Sequence, residues 1–359
     1  MPQLTIESAT ARAVNLRLDR PVETASGIMA TAPLVLIDIR TKEGATGRAY
    51  VQCYTPLALS PLASLIGNVG EVLAGHSAAP AVVSRELQGL FRLAGPQGLA
   101  GMAMAGIDMA LWDARAVAAG LPLVTLLGGE PGPVPAYASL RAMQARAAAA
   151  EAEELLALGF TAFKVKAGGR PLAGDLEVIR ALRAAAGPGA RLMVDYNQSL
   201  TVSEAIDRAR ALDREGLHWI EEPTRADDYD GHARIAASAA TAIQLGENWQ
   251  GPADMARSIA ARASDHVMPD VMKIGGVTGW LRAIALADAA SLPASSHAFP
   301  EYSSHLLGVT PTAAYLEYLD HAGPVLAQPV RVQAGQILIS DRPGSGIEWD
   351  ETAIRRLRG

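Results

Sequence analysis

Residues 162–197 read AFKVKAGGRPLAGDLEVIRALRAAAGPGARLMVDYN: a short apolar run, a longer segment rich in alanine and arginine, and a second short apolar run. The two runs predict strands and the segment between them predicts a helix. Comparable runs follow Pro133 in the order VPAYAS, AFKVKA, LMVDYN, HWIEEP, AIQLGEN, HVMPD, PASSH and AYLEYL. Eight strands alternating with helices in roughly 190 residues favour a closed parallel barrel over an open sheet.

The chain outside this region indicates a second domain. Residues 3–19 and 33–52 are alternating or β-branched and predict an antiparallel sheet, with a turn-rich loop at about 20–32 between them. Residues 57–129 have helical spacing, and the tail from Gln328 predicts strands that return to the N-terminal sheet.

We therefore predict an α/β fold with a modified (β/α) TIM-type barrel and an α+β capping domain. The predicted boundaries are residues 1–130 for the capping domain, 131–325 for the barrel and 326–359 for a C-terminal segment returning to the cap. No Gly-x-Gly-x-x-Gly pattern follows the first strand, which argues against a dinucleotide-binding fold.

Composition limits the classes of function. The 359 residues are 50% hydrophobic and 19% charged, with a net charge of −6 and no Lys/Arg cluster interleaved with aromatics, so a nucleic acid is not expected as a partner. No apolar run of membrane-spanning length is free of charge, glycine and proline, and the N-terminus does not resemble a secretory signal. With the single Cys53, these features predict a cytoplasmic protein that is not membrane-bound.

Three acidic residues stand at the ends of consecutive predicted strands. Asp195 ends MVD, Glu221 ends WIE and Glu247 follows QLG, at a spacing of about 25 residues that matches one strand-helix unit. Because the carboxyl ends of barrel strands converge on one face, the three carboxylates should meet there. Their mutual repulsion calls for a cation, and oxygen ligands of this number favour Mg²⁺.

Two further pairs of residues belong to the same predicted face. Asp270 ends HVMPD and His297 ends PASSH, an arrangement in which the aspartate can fix the tautomer of a catalytic histidine. Lys164 and Lys166 point to one side of their strand, so each lowers the pKa of the other and one can act as a neutral base. The remaining histidines near these strands, His266, His305 and His321, are predicted to be structural.

The motifs KVK, MVDYNQS, WIEEP, GEN, MPDVMKIGGVTGW and SSH followed by PEYSSH together resemble the enolase superfamily, and within it the mandelate racemase subgroup. The resemblance covers essentially the whole chain. It implies that Asp195, Glu221 and Glu247 ligate Mg²⁺. It further implies that Lys166 and the His297–Asp270 pair flank the α-carbon of a small carboxylate substrate.

The resemblance also assigns roles to other residues. Lys164 would bind and polarise the substrate carboxylate, and Glu317 would hydrogen-bond it as it becomes an enediolate. The residues implied to contact substrate are Ser139 and Asn197, together with an apolar cage formed by Val22, Met29, Tyr54 and Leu319. A homo-oligomer, an octamer by resemblance, is also implied.

Departures from this pattern keep alternatives open. Gln52, Ser26 and Ala298 do not suit a cage for an aryl group, so the substrate side chain stays open. We expect a Mg²⁺-dependent racemase or epimerase of a 2-hydroxy carboxylate such as mandelate. The alternative is an acid-sugar dehydratase, in which the histidine expels a β-hydroxyl.

Two other interpretations have less support. Lys273 in MKIG resembles the base of the muconate-lactonising branch, but Glu247 and His297 argue against that branch. A binding scaffold without turnover would be expected to lack a base, and both bases are present.

Overall fold

The structure is a computed structural model that describes residues 3–358. Its N-terminal part contains an antiparallel sheet of three strands in the order β1 (Ile6–Thr24), β2 (Gly27–Thr41) and β3 (Thr46–Gln52). Four helices follow: α1 (Leu59–Leu73), α2 (Pro80–Leu90), α3 (Gly98–Ala119) and α4 (Leu123–Leu126). The predicted sheet and the predicted helical block are therefore both present.

The segment expected to be a loop at about 20–32 is instead the end of a long β-hairpin. Val22 pairs with Met29 and Thr24 pairs with Gly27, so only Ala25 and Ser26 form the turn. Turn-forming residues adopt strand structure here because the antiparallel partner satisfies their backbone groups, an effect of context that overrides local propensity.

The barrel predicted from the eight apolar runs is confirmed. Its parallel strands are β4 (Pro133–Ser139), β5 (Ala162–Lys166), β6 (Arg191–Asp195), β7 (Trp219–Glu221), β8 (Ala242–Leu245), β9 (His266–Val267), β10 (Ala294–Ser296) and β11 (Ala313–Tyr318). Neighbouring strands pair in sequence order, and β11 pairs with β4 to close the barrel.

One helix connects each strand to the next. These helices are α5 (Ala145–Leu156), α6 (Leu172–Ala186), α7 (Val202–Leu212), α8 (Tyr229–Ala236), α9 (Pro252–Ala260), α10 (Gly276–Ala289) and α11 (Pro300–Leu307). The sequence of strand, helix and strand is the one that the quoted stretch 162–197 predicts.

A small layer of four buried side chains, two of them aromatic, fills the barrel interior beneath its open end. It consists of Tyr137, Ala162, Met193 and Trp219. Because side chains alternate along a strand, the residues two positions later face the same interior. Those residues are Ser139, Lys164, Asp195 and Glu221. The packed layer therefore supports the side chains that carry the chemistry.

The tail differs from the prediction. Its strands β12 (Arg331–Gln333) and β13 (Gln336–Leu338) form a hairpin, and β13 pairs antiparallel with barrel strand β4 rather than with the N-terminal sheet. The final residues do contact the cap: Trp349 donates to Asp38 at 2.9 Å. At the start of helix α12 (Glu351–Arg358), Glu351 pairs with Arg12.

One stretch within residues 3–358, Pro56–Leu73, has by length and composition the properties of a membrane-spanning helix, with a mean hydropathy of 1.3. It comprises a 3-10 turn and helix α1. Leu62, Ile66 and Leu73 of α1 are buried in the hydrophobic core. Helix α1 therefore packs one face on the hydrophobic core, and 28% of the stretch Pro56–Leu73 is buried.

Candidate active site

The three predicted metal ligands come together at the open end of the barrel. Asp195 and Glu221 end β6 and β7, and Glu247 follows β8. Each offers one oxygen, and these oxygens all lie within 4.8 Å of one another. Gly246 allows the chain to pass here: its φ is +145°, and a Cβ at this position would lie 2.7 Å from the backbone of Met268, which leaves no room for a side chain.

Neighbouring groups hold the acidic triad in place. Both oxygens of Asp195 accept hydrogen bonds from Asn197, at 2.7 Å from its backbone and 2.8 Å from its side chain. One oxygen of Glu221 accepts from Trp219 and Gln244, at 3.0 and 3.1 Å. These bonds orient the carboxylates independently of a cation.

The electrostatics of the triad favour a cation. Burial raises the pKa of Glu221 to about 8, and repulsion from Asp195 and Glu247 adds to the rise against the opposing effect of Lys164. Burial and Glu247 likewise raise the pKa of Asp195. A hard divalent cation bound by three oxygens relieves this repulsion, so these residues suit Mg²⁺ in donor type, number and charge.

Lys164 is a buried cation between two carboxylates. Its Nζ contacts Glu221 and lies 2.8 Å from Glu317, above the ring of Tyr137. Burial lowers the pKa of Lys164, but Glu221 and Glu317 outweigh burial and raise the pKa well above its usual value. Because two carboxylates contact its ammonium group, Lys164 is held in its charged form, as expected for the member of the lysine pair that binds the substrate carboxylate.

The second lysine has a different partner. Lys166 is 6% exposed, and its Nζ donates to the hydroxyl of Ser139 at 3.4 Å. Ser139 is buried beside it. The two lysines share one face of β5, as the sequence predicts, but only Lys164 is held between carboxylates.

His297 and Asp270 form the predicted pair. Nδ1 of His297 donates to Asp270 at 2.6 Å, and Asp270 also accepts from the backbone of Met272 and Lys273. This fixes the imidazole so that Nε2 faces Glu247 and Glu317, at 3.4 and 3.7 Å.

The charges around this pair set its protonation. Burial lowers the pKa of His297, but Glu247, Glu317 and Asp270 outweigh burial and raise the pKa to about 9. Burial raises the pKa of Glu317, yet Lys164 and His297 hold that pKa below its usual value. The two groups therefore carry opposite charges in this arrangement.

Strained backbone follows several of the site residues. Asn197, Glu222 and Ala298 have φ of 44°, 37° and 47°, in the left-handed region that non-glycine residues rarely adopt. Each stands one or two positions after a predicted site residue, namely Asp195, Glu221 or His297. Strain of this kind is typical of sites where a side chain must be aimed.

A cavity of about 610 Å³ lies between the barrel and the β1–β2 hairpin, and its lining includes Lys164, Lys166, Asp195, Glu247, His297 and Glu317. Asn197 lines it, and so does every predicted cage residue: Val22, Met29, Tyr54 and Leu319. The three residues that do not suit an aryl cage, Gln52, Ser26 and Ala298, also line it. Ser139 is not among the lining residues; it lies behind Lys166.

Some residues of the cavity wall were not predicted from the sequence. His321 lines the cavity, although the sequence suggested a structural role. Its spacing of two from Leu319 and four from Glu317 was a usable signal, because alternate residues of an extended chain share a side. Lys273, which the sequence offered only as the base of the muconate-lactonising branch, also lines the cavity, with Nζ bonded to Asn248 at 2.6 Å and lying over the Tyr54 ring.

Comparisons with known proteins agree with this geometry. Residues 6–128 match the mandelate racemase / muconate lactonizing enzyme N-terminal domain family, and residues 147–353 match the enolase C-terminal domain-like family. An enolase from Bradyrhizobium complexed with magnesium and mandelic acid is 46% identical, with a TM-score of 0.94 over 99% of both chains.

Two sugar-acid enzymes are also similar. The 3,6-anhydro-alpha-L-galactonate cycloisomerase of Streptomyces coelicolor is 33% identical over 94% of this chain and 95% of that protein. The L-talarate/galactarate dehydratase of Salmonella typhimurium, liganded with Mg and L-lyxarohydroxamate, is 28% identical, with a TM-score of 0.93 over 99% of this chain and 93% of that chain. Since the two family models together cover most of its length, the chain belongs to the enolase superfamily.

Proposed function

We propose that this protein is a Mg²⁺-dependent racemase or epimerase of a 2-hydroxy carboxylate, with the chemistry of the mandelate racemase subgroup. The observation that carries the proposal is that Lys166 and His297 line one cavity beside the acidic triad. Lys166 ends β5 and His297 follows β10, and these strands are separated around the barrel by β11 and β4 on one side and by β6 to β9 on the other.

The reaction requires stabilisation of negative charge. Removing the α-proton of a carboxylate builds charge on the carboxylate oxygens, giving an enediolate, and preorganised opposite charge is usually the largest catalytic contribution. Asp195, Glu221 and Glu247 would hold Mg²⁺, which would supply positive charge to stabilise those oxygens. Lys164, buried and cationic, adds a second fixed positive charge on the same side.

The two bases act from opposite faces of the α-carbon. Lys166 removes the proton from one enantiomer and His297 returns a proton from the other side, or the reverse. Asp270 keeps the Nδ1 proton of His297 in place, so that only Nε2 exchanges a proton with the substrate. When the substrate carboxylate competes for Lys164, Glu317 loses part of its charge compensation and can take up a proton to hydrogen-bond the enediolate.

An acid-sugar dehydratase is the second candidate. Gln52 and His321 are polar groups on the cavity wall, where an aryl side chain would leave Nε2 of His321 without a hydrogen-bond partner. In that reaction His297, with its raised pKa, would protonate a departing β-hydroxyl. The similarity to the Salmonella typhimurium dehydratase adds support.

Proton NMR in deuterated water separates these candidates. Mandelate and a panel of sugar acids are incubated with enzyme and Mg²⁺, and the α-proton signal and any keto product are followed. Loss of the α-proton from both enantiomers without a new product supports the racemase. A 2-keto-3-deoxy product from a sugar acid supports the dehydratase, and no exchange with any acid contradicts both.

We also propose a homo-oligomer, an octamer by resemblance, in the cytoplasm. Large exposed apolar side chains on the capping domain support self-association: Leu57, Leu90 and Leu93 are 88%, 56% and 100% exposed. Light scattering after size-exclusion chromatography measures the assembly, and a monomer would contradict it.

A further inference from the structure

A buried polar pair, Gln52 and His321, lies on the wall of the cavity. Gln52 ends β3 of the capping domain, and His321 follows β11 of the barrel. They are 2% and 6% exposed, and Nδ1 of His321 lies 2.9 Å from Oε1 of Gln52. Both residues line the cavity, so this hydrogen bond joins the two domains at the place where the substrate side chain would lie.

The hydrogen bond determines which ring nitrogen carries the proton. An amide oxygen only accepts, so Nδ1 of His321 is the donor. Burial, together with Arg141, lowers the pKa of His321 to about 3, and the ring is neutral at physiological pH. Its Nε2 is therefore a free acceptor, and it has no hydrogen-bond partner within residues 3–358.

Among residues 3–358, no neighbour donates a hydrogen bond to Nε2 of His321. The amide nitrogen of Gln52 faces Sδ of Met29 at 3.7 Å, which is a weak contact. Val22 and Leu319 contribute apolar surface to the same cavity. An apolar substrate side chain in this space would leave Nε2 of His321 buried without a hydrogen-bond donor, which costs binding free energy. A substrate hydroxyl group would donate to Nε2 and avoid that cost.

We propose that Gln52 and His321 form a specificity element that binds a hydroxyl group on a carbon beyond C2 of the substrate. The inference rests on the proposed function and narrows its substrate class to polyhydroxy carboxylates. His321 Nε2 accepts the hydroxyl proton, and Gln52 holds the imidazole in the required tautomer. Sites built to bind a hydroxyl discriminate strongly against analogues that lack it.

The test compares substrates of equal chain length that differ only in hydroxyl groups. The two acids are 2,3,4-trihydroxybutanoate, called trihydroxybutanoate below, and 2-hydroxybutanoate. Each is supplied to the Mg²⁺-loaded enzyme in deuterated water. Loss of the α-proton signal is the readout, because racemisation and dehydration both produce it. We expect kcat/KM to favour trihydroxybutanoate by about tenfold to a hundredfold in the wild-type protein.

A double variant, Gln52→Leu with His321→Leu, removes donor and acceptor together and so leaves no orphaned partner between the two residues. The preference for trihydroxybutanoate should fall by about tenfold or more, with thermal unfolding confirming that the variant folds. His232→Leu is the matched control. His232 is a buried histidine with one bonded ring nitrogen and an unpartnered Nε2, but it lies on α8 and does not line the cavity.

The outcomes separate the inference from the proposed function. If the wild-type protein exchanges the α-proton of 2-hydroxybutanoate as efficiently as that of trihydroxybutanoate, the specificity element is refuted while the proposed function stands. The same holds if the folded double variant keeps the wild-type preference, or if His232→Leu loses it equally. Should no acid exchange its α-proton, the proposed function fails and the inference fails with it.

Discussion

The carboxylates at the floor of the cavity, around Asp195, and the polar pair on its side wall, Gln52 and His321, differ in how completely they are paired with other groups of the protein. On the floor, the carboxylate of Asp195 accepts two hydrogen bonds from Asn197. Glu221 and Asp270, which support the floor without lining the cavity, each accept at least two hydrogen bonds or ion pairs from the protein. On the wall, His321 keeps one ring nitrogen without a partner among the residues that the structure describes. The carboxylates around the proton-transfer groups are thus positioned before substrate binds. The polar pair that would recognise the substrate side chain gains its last hydrogen bond only from the substrate.

Replacing one of the two bases at the floor of the cavity should have the largest effect on catalytic activity. His297→Asn and Lys166→Met are each expected to lower racemisation by about 10²- to 10⁴-fold, because return of the proton from one side is lost. Exchange in deuterated water should persist for a single enantiomer in each variant, the opposite one in the two cases. NMR with the separate enantiomers measures this, and continued exchange of both enantiomers in either variant would contradict a two-base site.

The acidic triad gives a second, pH-dependent effect. Since the pKa of Glu221 is raised from 4.5 to about 8, this group is protonated below the higher value and must lose a proton to bind Mg²⁺. Affinity should therefore rise with pH and level off above about pH 8. The folded protein without metal should lose stability as pH rises from about 4.5 to about 8, because the unfolded chain releases this proton first.

Calorimetric titration with Mg²⁺ at several pH values measures this dependence. Glu221→Gln serves as the comparison, since an amide has no proton to lose on metal binding: its affinity should be weaker and its pH dependence flatter. A wild-type affinity that does not change between about pH 6 and about pH 8 would show that the triad is already fully ionised.

The polar pair on the wall predicts a smaller effect, on stability. Gln52→Leu alone leaves the buried Nδ1–H of His321 without its acceptor and should lower the free energy of unfolding by about 1 to 3 kcal/mol. The double variant with His321→Leu should be more stable than this single variant, because no group is orphaned. Urea unfolding of the two single variants and the double variant gives the coupling, and strictly additive changes would mean that the hydrogen bond contributes little.

The same contrast explains what the sequence could predict. Asp195, Glu221 and Glu247 were predictable because a regular strand-helix unit repeats their position at the barrel mouth. Alternation along β5 likewise placed Lys164 and Lys166 on one face. These are local rules of spacing, and they hold wherever the barrel forms.

Features that depend on distant contacts were harder to predict. The partner of His321 is Gln52, 269 residues earlier in the chain, and no local pattern links them. The tail hairpin pairs with the first residues of β4, which precede the part of β4 that pairs with β11, and the sequence of the tail alone does not reveal this free edge. The β1–β2 hairpin extends through residues typical of turns because each strand supplies the other with a partner.

The smallest expected effect concerns the hairpin that covers the cavity. Ile28 lies beside its turn, lines the cavity and is 72% exposed, so it has little role in the folded core. A bound substrate would cover only part of this side chain, which is worth less than about 1 kcal/mol of apolar burial. Ile28→Ser should therefore raise KM by no more than about fivefold and leave kcat and the free energy of unfolding unchanged.

Steady-state kinetics with the preferred acid measure the change, with Val72→Ser as the matched control. Val72 is an apolar residue of α1, 55% exposed, that does not line the cavity, and its replacement should leave KM unaltered. A fall in kcat for Ile28→Ser would mean that the hairpin helps to orient the reacting groups. The hairpin, like the carboxylates at the floor, would then help to position the reacting groups.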